Sequence, residues 1–232
     1  MTETPSTLGD APTAHDLDTL SRQLGRPVRD VVAISARCVC GNPLVAATAP
    51  RLSNGTPFPT TFYLTHPVVT AAVSRLEAGG LMTEMNERLI ADPELAAAYR
   101  GAHEAYLAAR EEIGRRAGTG PVPEIDGVSA GGMPTRVKCL HVLVGESLAL
   151  GPGVNPLGDE AIGALAAWWT TDRCYCAGAW DTRGTAPDRD LSRHGPQGLP
   201  AMTGRPAPVR KSEGGPENTG PETASRREGG AS

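Results

Sequence analysis

A formal net charge of −4, from 26 acidic and 22 basic residues in 232, argues against broad nonspecific binding to nucleic acid or to an anionic membrane, although a local basic patch stays open. The opening MTETPSTLGDAPTAHD has neither a basic nor an apolar signal region, and no later run is apolar enough to span a bilayer, so the chain is expected in the cytoplasm. With 28 Gly and 21 Pro against two Phe and four Tyr, part of the chain is expected to build no core.

Residues 181–232 mix Pro, Gly, Ser and both charges without apolar periodicity and are expected to form a disordered tail, and residues 1–14 are expected to be loose. Residues 15–180 then make one domain. Asp16 to Leu24 reads as a short helix, with Leu17, Leu20 and Leu24 at helical spacing and Gly25 and Pro27 stopping it. Three strand-like runs follow, at Val28 to Ala36, Leu44 to Thr48 and Thr60 to Thr65.

From Pro67 the pattern turns helical, with Val69, Ala72, Val73 and Leu76 in a stripe that Gly79 and Gly80 end. A short helix is expected from Thr83 to Ala91. The longest helix follows, opened by Asp92 as N-cap and Pro93 at its first position, with Leu95, Tyr99, Ala102, Tyr106, Ala109 and Ile113 as its core stripe. His103, off that stripe, is expected at the surface or in packing. A further helix is expected from Pro134 to Ala149, with Val137, Leu140, Val144 and Leu148 inward, and a last one that Asp159 could cap. The pattern predicts an α+β fold: a small antiparallel β-meander packed against several helices.

Five cysteines carry most of the chemistry: two Cys-x-Cys pairs, Cys38/Cys40 and Cys174/Cys176, and a lone Cys139 two residues before His141. An odd count cannot pair completely within one chain, and disulfides are rare in a reducing compartment, so metal binding is preferred over buried free thiols and over redox chemistry. The Cys38–Pro43 stretch reads as a bend between two strands, where alternate extended residues can aim both sulfurs one way. Within a regular helix, Cys139 and His141 point about 200° apart and cannot easily share an ion. Cys139 is preferred as the ligand, turned toward Cys38 and Cys40, with His141 buried and hydrogen-bonded.

The loop at Gly131 and Gly132 runs into the expected helix start at Pro134, with Arg136 and Lys138 close by. Free backbone N–H groups there would make a pocket for a phosphate-bearing small molecule.

Four segments, Arg37–Pro43, Pro59–Pro67, GGMPTRVKCLH at Gly131–His141 and Gly153–Asp159, together resemble the actinobacterial domain-of-unknown-function family 501, over about Leu20 to Cys176. The resemblance implies a cytoplasmic protein with no assigned activity, often encoded near a septum-formation protein and an exopolyphosphatase. Where that family reads Leu-Thr-Cys-Pro this chain has His66, and exchange of Cys for His supports a zinc-ligand role there. Where it reads Ala-His-x-Leu-Ala this chain has Glu146, which puts acid/base catalysis by a histidine at that place in doubt.

The leading site is therefore Cys38, Cys40, His66 and Cys139 around a structural zinc, with an iron-sulfur cluster as second choice. Cys174 and Cys176 would replace His66 or complete a four-cysteine set; otherwise they are surface thiols. The preferred function is a metal-stabilised interaction or regulatory module with a protein partner. The alternative is a hydrolase or transferase binding an anion at Gly131, Gly132, Arg136 and Lys138, assisted by Asp159 or Glu146.

Overall fold

The computed structural model describes residues 8–180; the expected tail at 181–232 lies outside them. Helix α1 (Ala14–Leu24) opens on a capping box in which the Thr13 hydroxyl accepts from Asp16 N–H while the Asp16 carboxylate accepts from Thr13 N–H, and it closes on left-handed Gly25. Residues 8–13 are thus more ordered than the sequence suggests: Leu8 is buried and Asp10 bridges Ile34.

Strands β1 (Val31–Arg37), β2 (Pro43–Thr48) and β3 (Phe62–Leu64) form an antiparallel sheet in sequence order, the expected meander. Ile34 faces Ala46, and Val45 faces Leu64. Every residue of the central strand β2 is buried. The strand expected from Val28 starts at Val31 instead, because Asp30 takes a positive φ of 59° and interrupts extended backbone.

Helices α2 (Pro67–Ala78), α3 (Leu81–Ala91) and α4 (Pro93–Ala117) follow. Asp92 caps α4 through the N–H groups of Glu94 and Leu95, and Tyr99, Ala102, Tyr106, Ala109 and Ile113 are all buried, as the periodicity predicts. Tyr106 fixes this helix to β3: its hydroxyl accepts from Thr61 N–H at 2.6 Å and donates to Pro59 O at 3.1 Å, and its ring meets Phe62 edge-on at 5.6 Å.

Helix α5 (Leu140–Leu150) packs against all three strands and against α2 and α6, and is apolar on nearly every face, as a buried helix must be. Helix α6 (Pro156–Ala164) packs on it closely enough that a Cβ on Gly158 would fall 2.4 Å from Leu143 O. Asn155, rather than Asp159, caps α6 by accepting from Gly158 N–H; Asp159 accepts from Gly153 N–H.

After α6 the chain returns to the sheet, anchored by buried Trp169, Tyr175 and Ala179. No helix among the described residues is long and apolar enough to cross a membrane.

Candidate metal centre

The two Cys-x-Cys pairs meet. Ligand atoms of Cys38, Cys40, Cys174 and Cys176 all lie within 4.8 Å of one another, and Cys40 Sγ is 3.4 Å from Cys176 Sγ. A tetrahedral ion with metal–sulfur bonds of about 2.3 Å holds its sulfurs about 3.8 Å apart, so the spacing suits a single ion.

Each pair is aimed by a different device. Strand β1 ends at Arg37 and β2 begins at Pro43, so Cys38 and Cys40 occupy the expected bend between two strands, as a tight turn. Cys38 N–H donates to Asn42 O and Gly41 N–H donates to Cys38 O, both at 2.8 Å. Arg37 braces this turn, donating to Gly41 O at 2.9 Å and to the Asp16 carboxylate at 2.6 Å. In the second pair the intervening Tyr175 is buried in the core, while Cys174 is exposed and Cys176 half-buried.

Burial pushes the Cys38 and Cys176 thiols above their ordinary value. Burial acts the same way on Cys40, but the Asn42 backbone N–H and the neighbouring thiols outweigh it and hold that thiol below its ordinary value. The group therefore combines one thiol shifted toward ionisation with two that burial shifts away from it.

His66, expected among the ligands, stands behind them. It is fully buried at the N-terminus of α2, its Nε2 lies 3.4 Å from Cys176 Sγ, and Trp180 meets its ring edge-on at 5.5 Å. Desolvation lowers its pKa to about 4, so the ring is neutral at pH 7.

Cys139 is not brought to this group. It lies instead with Glu77 and His141, whose ligand atoms are also within 4.8 Å of one another. The reason is where α5 begins. Cys139 is its extended N-cap (φ −155°, ψ 113°) and the first helical residue is Leu140, not Pro134, so the helical phase that would separate Cys139 from His141 does not apply. Cys139 Sγ is 3.8 Å from His141 Nδ1, which is 3.1 Å from Glu77 Oε1. No spacing in the sequence marks Glu77, which comes from a different helix.

The later start of α5 also takes the helix N-terminus away from Gly131, Gly132, Arg136 and Lys138, the place of the expected anion pocket. Those residues form a loop closed on itself, with Lys138 N–H donating to Gly131 O and Arg136 N–H donating to Gly132 O. A Cβ on Gly132 would fall 2.6 Å from Arg136 O, so the loop needs glycine for close packing of its own backbone. The Leu140 N–H at the true helix start is taken by the Glu77 carboxylate at 2.7 Å. Arg136 and Lys138 side chains are exposed.

Glu146, the acid considered for catalysis or for an exposed helix position, is fully buried, with Oε2 accepting from Asn155 Nδ2 at 2.7 Å and Oε1 unpartnered. Desolvation raises its pKa to about 8. It has no solvent access through which to meet a substrate. His103 pairs with Ser129 Oγ at 2.9 Å, a packing role as expected.

The family model described as a protein of unknown function, DUF501, matches residues 34–163. The chain belongs to this family. No curated protein and no solved structure matches it. The matched span of this DUF501 member includes Cys38, Cys40, Glu77, Cys139 and His141 but ends before Cys174 and Cys176.

Proposed function

We propose that Cys38, Cys40, Cys174 and Cys176 hold one zinc ion as a closed structural site, and that the protein is a metal-stabilised interaction or regulatory module working in the cytoplasm. The observation that carries this reading is the convergence of four sulfurs within 4.8 Å from two segments far apart in sequence. Filling a core with small apolar residues accounts for Cys38, which is buried, but not for Cys40 and Cys174, which are exposed.

Four thiolates complete a tetrahedral set and give the ion no free position, so its contribution is rigidity. An iron-sulfur cluster interposes an inorganic core between its cysteines and asks for a wider sulfur spacing than a single ion does. A cross-link between Cys40 and Cys176 spans 136 residues, and closing a loop of that order removes about 4–5 kcal/mol of unfolded-chain entropy. His66 would donate its Nε2–H to Cys176 Sγ, the kind of outer hydrogen bond that orients a ligand and disperses its charge.

Elemental analysis of anaerobically purified full-length protein, with a thiol count before and after chelator, tests the reading. Zinc at one or more per chain, with Cys38→Ser losing one equivalent and unfolding at lower temperature, is the expected result. Metal content unchanged in Cys38→Ser would overturn it.

A further inference from the structure

The 12-residue helix α2 separates two groups of donor atoms. Its N-terminus carries His66 beside the four cysteines, and its last turn, about 16 Å away at 1.5 Å per residue, carries Glu77 beside Cys139 and His141.

The hydrogen bonds around His141 fix its orientation. Its Nε2 lies 3.2 Å from Thr70 O and 3.3 Å from Ser74 Oγ. A carbonyl oxygen only accepts, so Nε2 carries the N–H and Nδ1 is the nitrogen turned toward Cys139 Sγ and Glu77 Oε1. Glu77 Oε1 also only accepts, so without a cation Nδ1 carries a proton and pairs with Glu77, and with a cation in its place Nδ1 offers a lone pair. A proton on Nδ1 satisfies one of these contacts at a time; a cation set among the three satisfies all of them.

We infer that Glu77, Cys139 and His141 form a second metal site, for a divalent first-row cation such as zinc, with three protein ligands and a fourth position open to solvent. Tetrahedral zinc holds a ligating nitrogen about 3.6 Å from a thiolate sulfur and about 3.3 Å from a carboxylate oxygen. The observed separations are 3.8 and 3.1 Å. The supporting contacts are those of a ligand set: His141 donates its remote N–H to a backbone carbonyl, and Glu77 is oriented by Leu140 N–H.

Mixed nitrogen, sulfur and oxygen donors suit zinc and its first-row neighbours and not the hard cations, which take oxygen alone. The side chains of His141 and Glu77 keep 24% and 23% of their exposure, so water reaches the site. Three ligands with an accessible fourth position is the arrangement that lets a metal bind and polarise water or an oxygen ligand, in contrast to the closed set of four cysteines.

The same geometry disfavours a thiol nucleophile. In a Cys–His–carboxylate relay the thiol and the acid use opposite ring nitrogens, whereas here both face Nδ1.

Cobalt(II) titration of reduced, metal-free, full-length protein tests the inference, because cobalt–thiolate absorption distinguishes four sulfurs from one. Two equivalents are expected to bind, one with strong four-thiolate absorption and one with weak single-thiolate absorption. Cys139→Ala should lose only the weak component. Glu77→Gln, which keeps an acceptor for Leu140 N–H, should weaken that component at least the roughly tenfold that loss of a supporting group costs. Absence of the weak single-thiolate component in the parent protein, or its persistence unchanged in both variants, would overturn the second site. Loss of the four-thiolate component alone would sink the four-cysteine reading and leave this one standing.

Discussion

His66 Nε2 meets Cys176 Sγ at 3.4 Å across 110 residues of chain, joining the start of α2 to the segment that closes the four-cysteine group. The ring is buried, neutral and packed against Trp180; Nδ1 has no partner, and Nε2 is the nitrogen that faces the sulfur. His66→Leu keeps apolar volume and removes the donor. The ion should remain at unchanged stoichiometry while its affinity falls about 10- to 100-fold, read by competition with a chromophoric chelator. Complete loss of the ion would make His66 a ligand, and unchanged affinity would reduce the contact to packing.

Asp16 supports the Cys38–Cys40 turn through Arg37, which bonds both Asp16 and Gly41 O. Its carboxylate closes the α1 capping box and pairs with Arg37, and the hydrogen bonds from Arg37 hold its pKa well below the ordinary 3.8 despite burial. Asp16→Asn should destabilise the protein by about 1.5–3 kcal/mol at pH 7, the range for hydrogen bonds to charged groups. A depressed acid contributes fully above its unfolded pKa and loses its contribution as pH falls through the folded one. Denaturant titrations should therefore show the gap between parent and variant intact at pH 6 and narrowing only below about pH 4.

Glu146 works in the reverse sense. Its folded pKa near 8 lies above the ordinary 4.5, so the native state holds a proton that the unfolded state has released between those values, and stability falls as pH rises through that window. Glu146→Gln, which keeps an acceptor for Asn155, should match the parent near pH 4 and exceed it by more than about 1.4 kcal/mol at pH 8, the worth of one pKa unit. Equal pH dependence in the two proteins would show that the carboxyl is not kept neutral.

Arg136→Ala and Lys138→Ala remove exposed side chains from a loop in which the Arg136, Val137 and Lys138 N–H groups already have acceptors. Each should change stability by less than about 0.5 kcal/mol, and added phosphate should leave the thermal midpoint of the parent unmoved. A phosphate-dependent rise that Arg136→Ala abolishes would restore the anion pocket.

Local rules carried the helices well. The Asp92-Pro93 start of α4, its buried Tyr99 and Tyr106 stripe, and the Gly25 end of α1 all follow from caps and periodicity, because those signals act within one or two turns. The meander was legible for the same reason: branched and aromatic runs separated by turn residues imply neighbouring antiparallel strands.

The sequence by itself determined that the cysteines come as two Cys-x-Cys pairs and one single thiol beside a histidine. Which of them share a site was decided by tertiary structure. Cys174 and Cys176 reach Cys38 and Cys40 because Trp169, Tyr175 and Ala179 bury themselves in the main core, a packing preference with no local signature. Cys139 is held away because Glu77, from another helix, takes the Leu140 N–H where α5 begins. A difference of six residues in that starting point converts a helical pair pointing apart into two donors facing one carboxylate. Spacing sets which atoms can converge, but the contacts that choose among those convergences are made between segments that no sequence window contains.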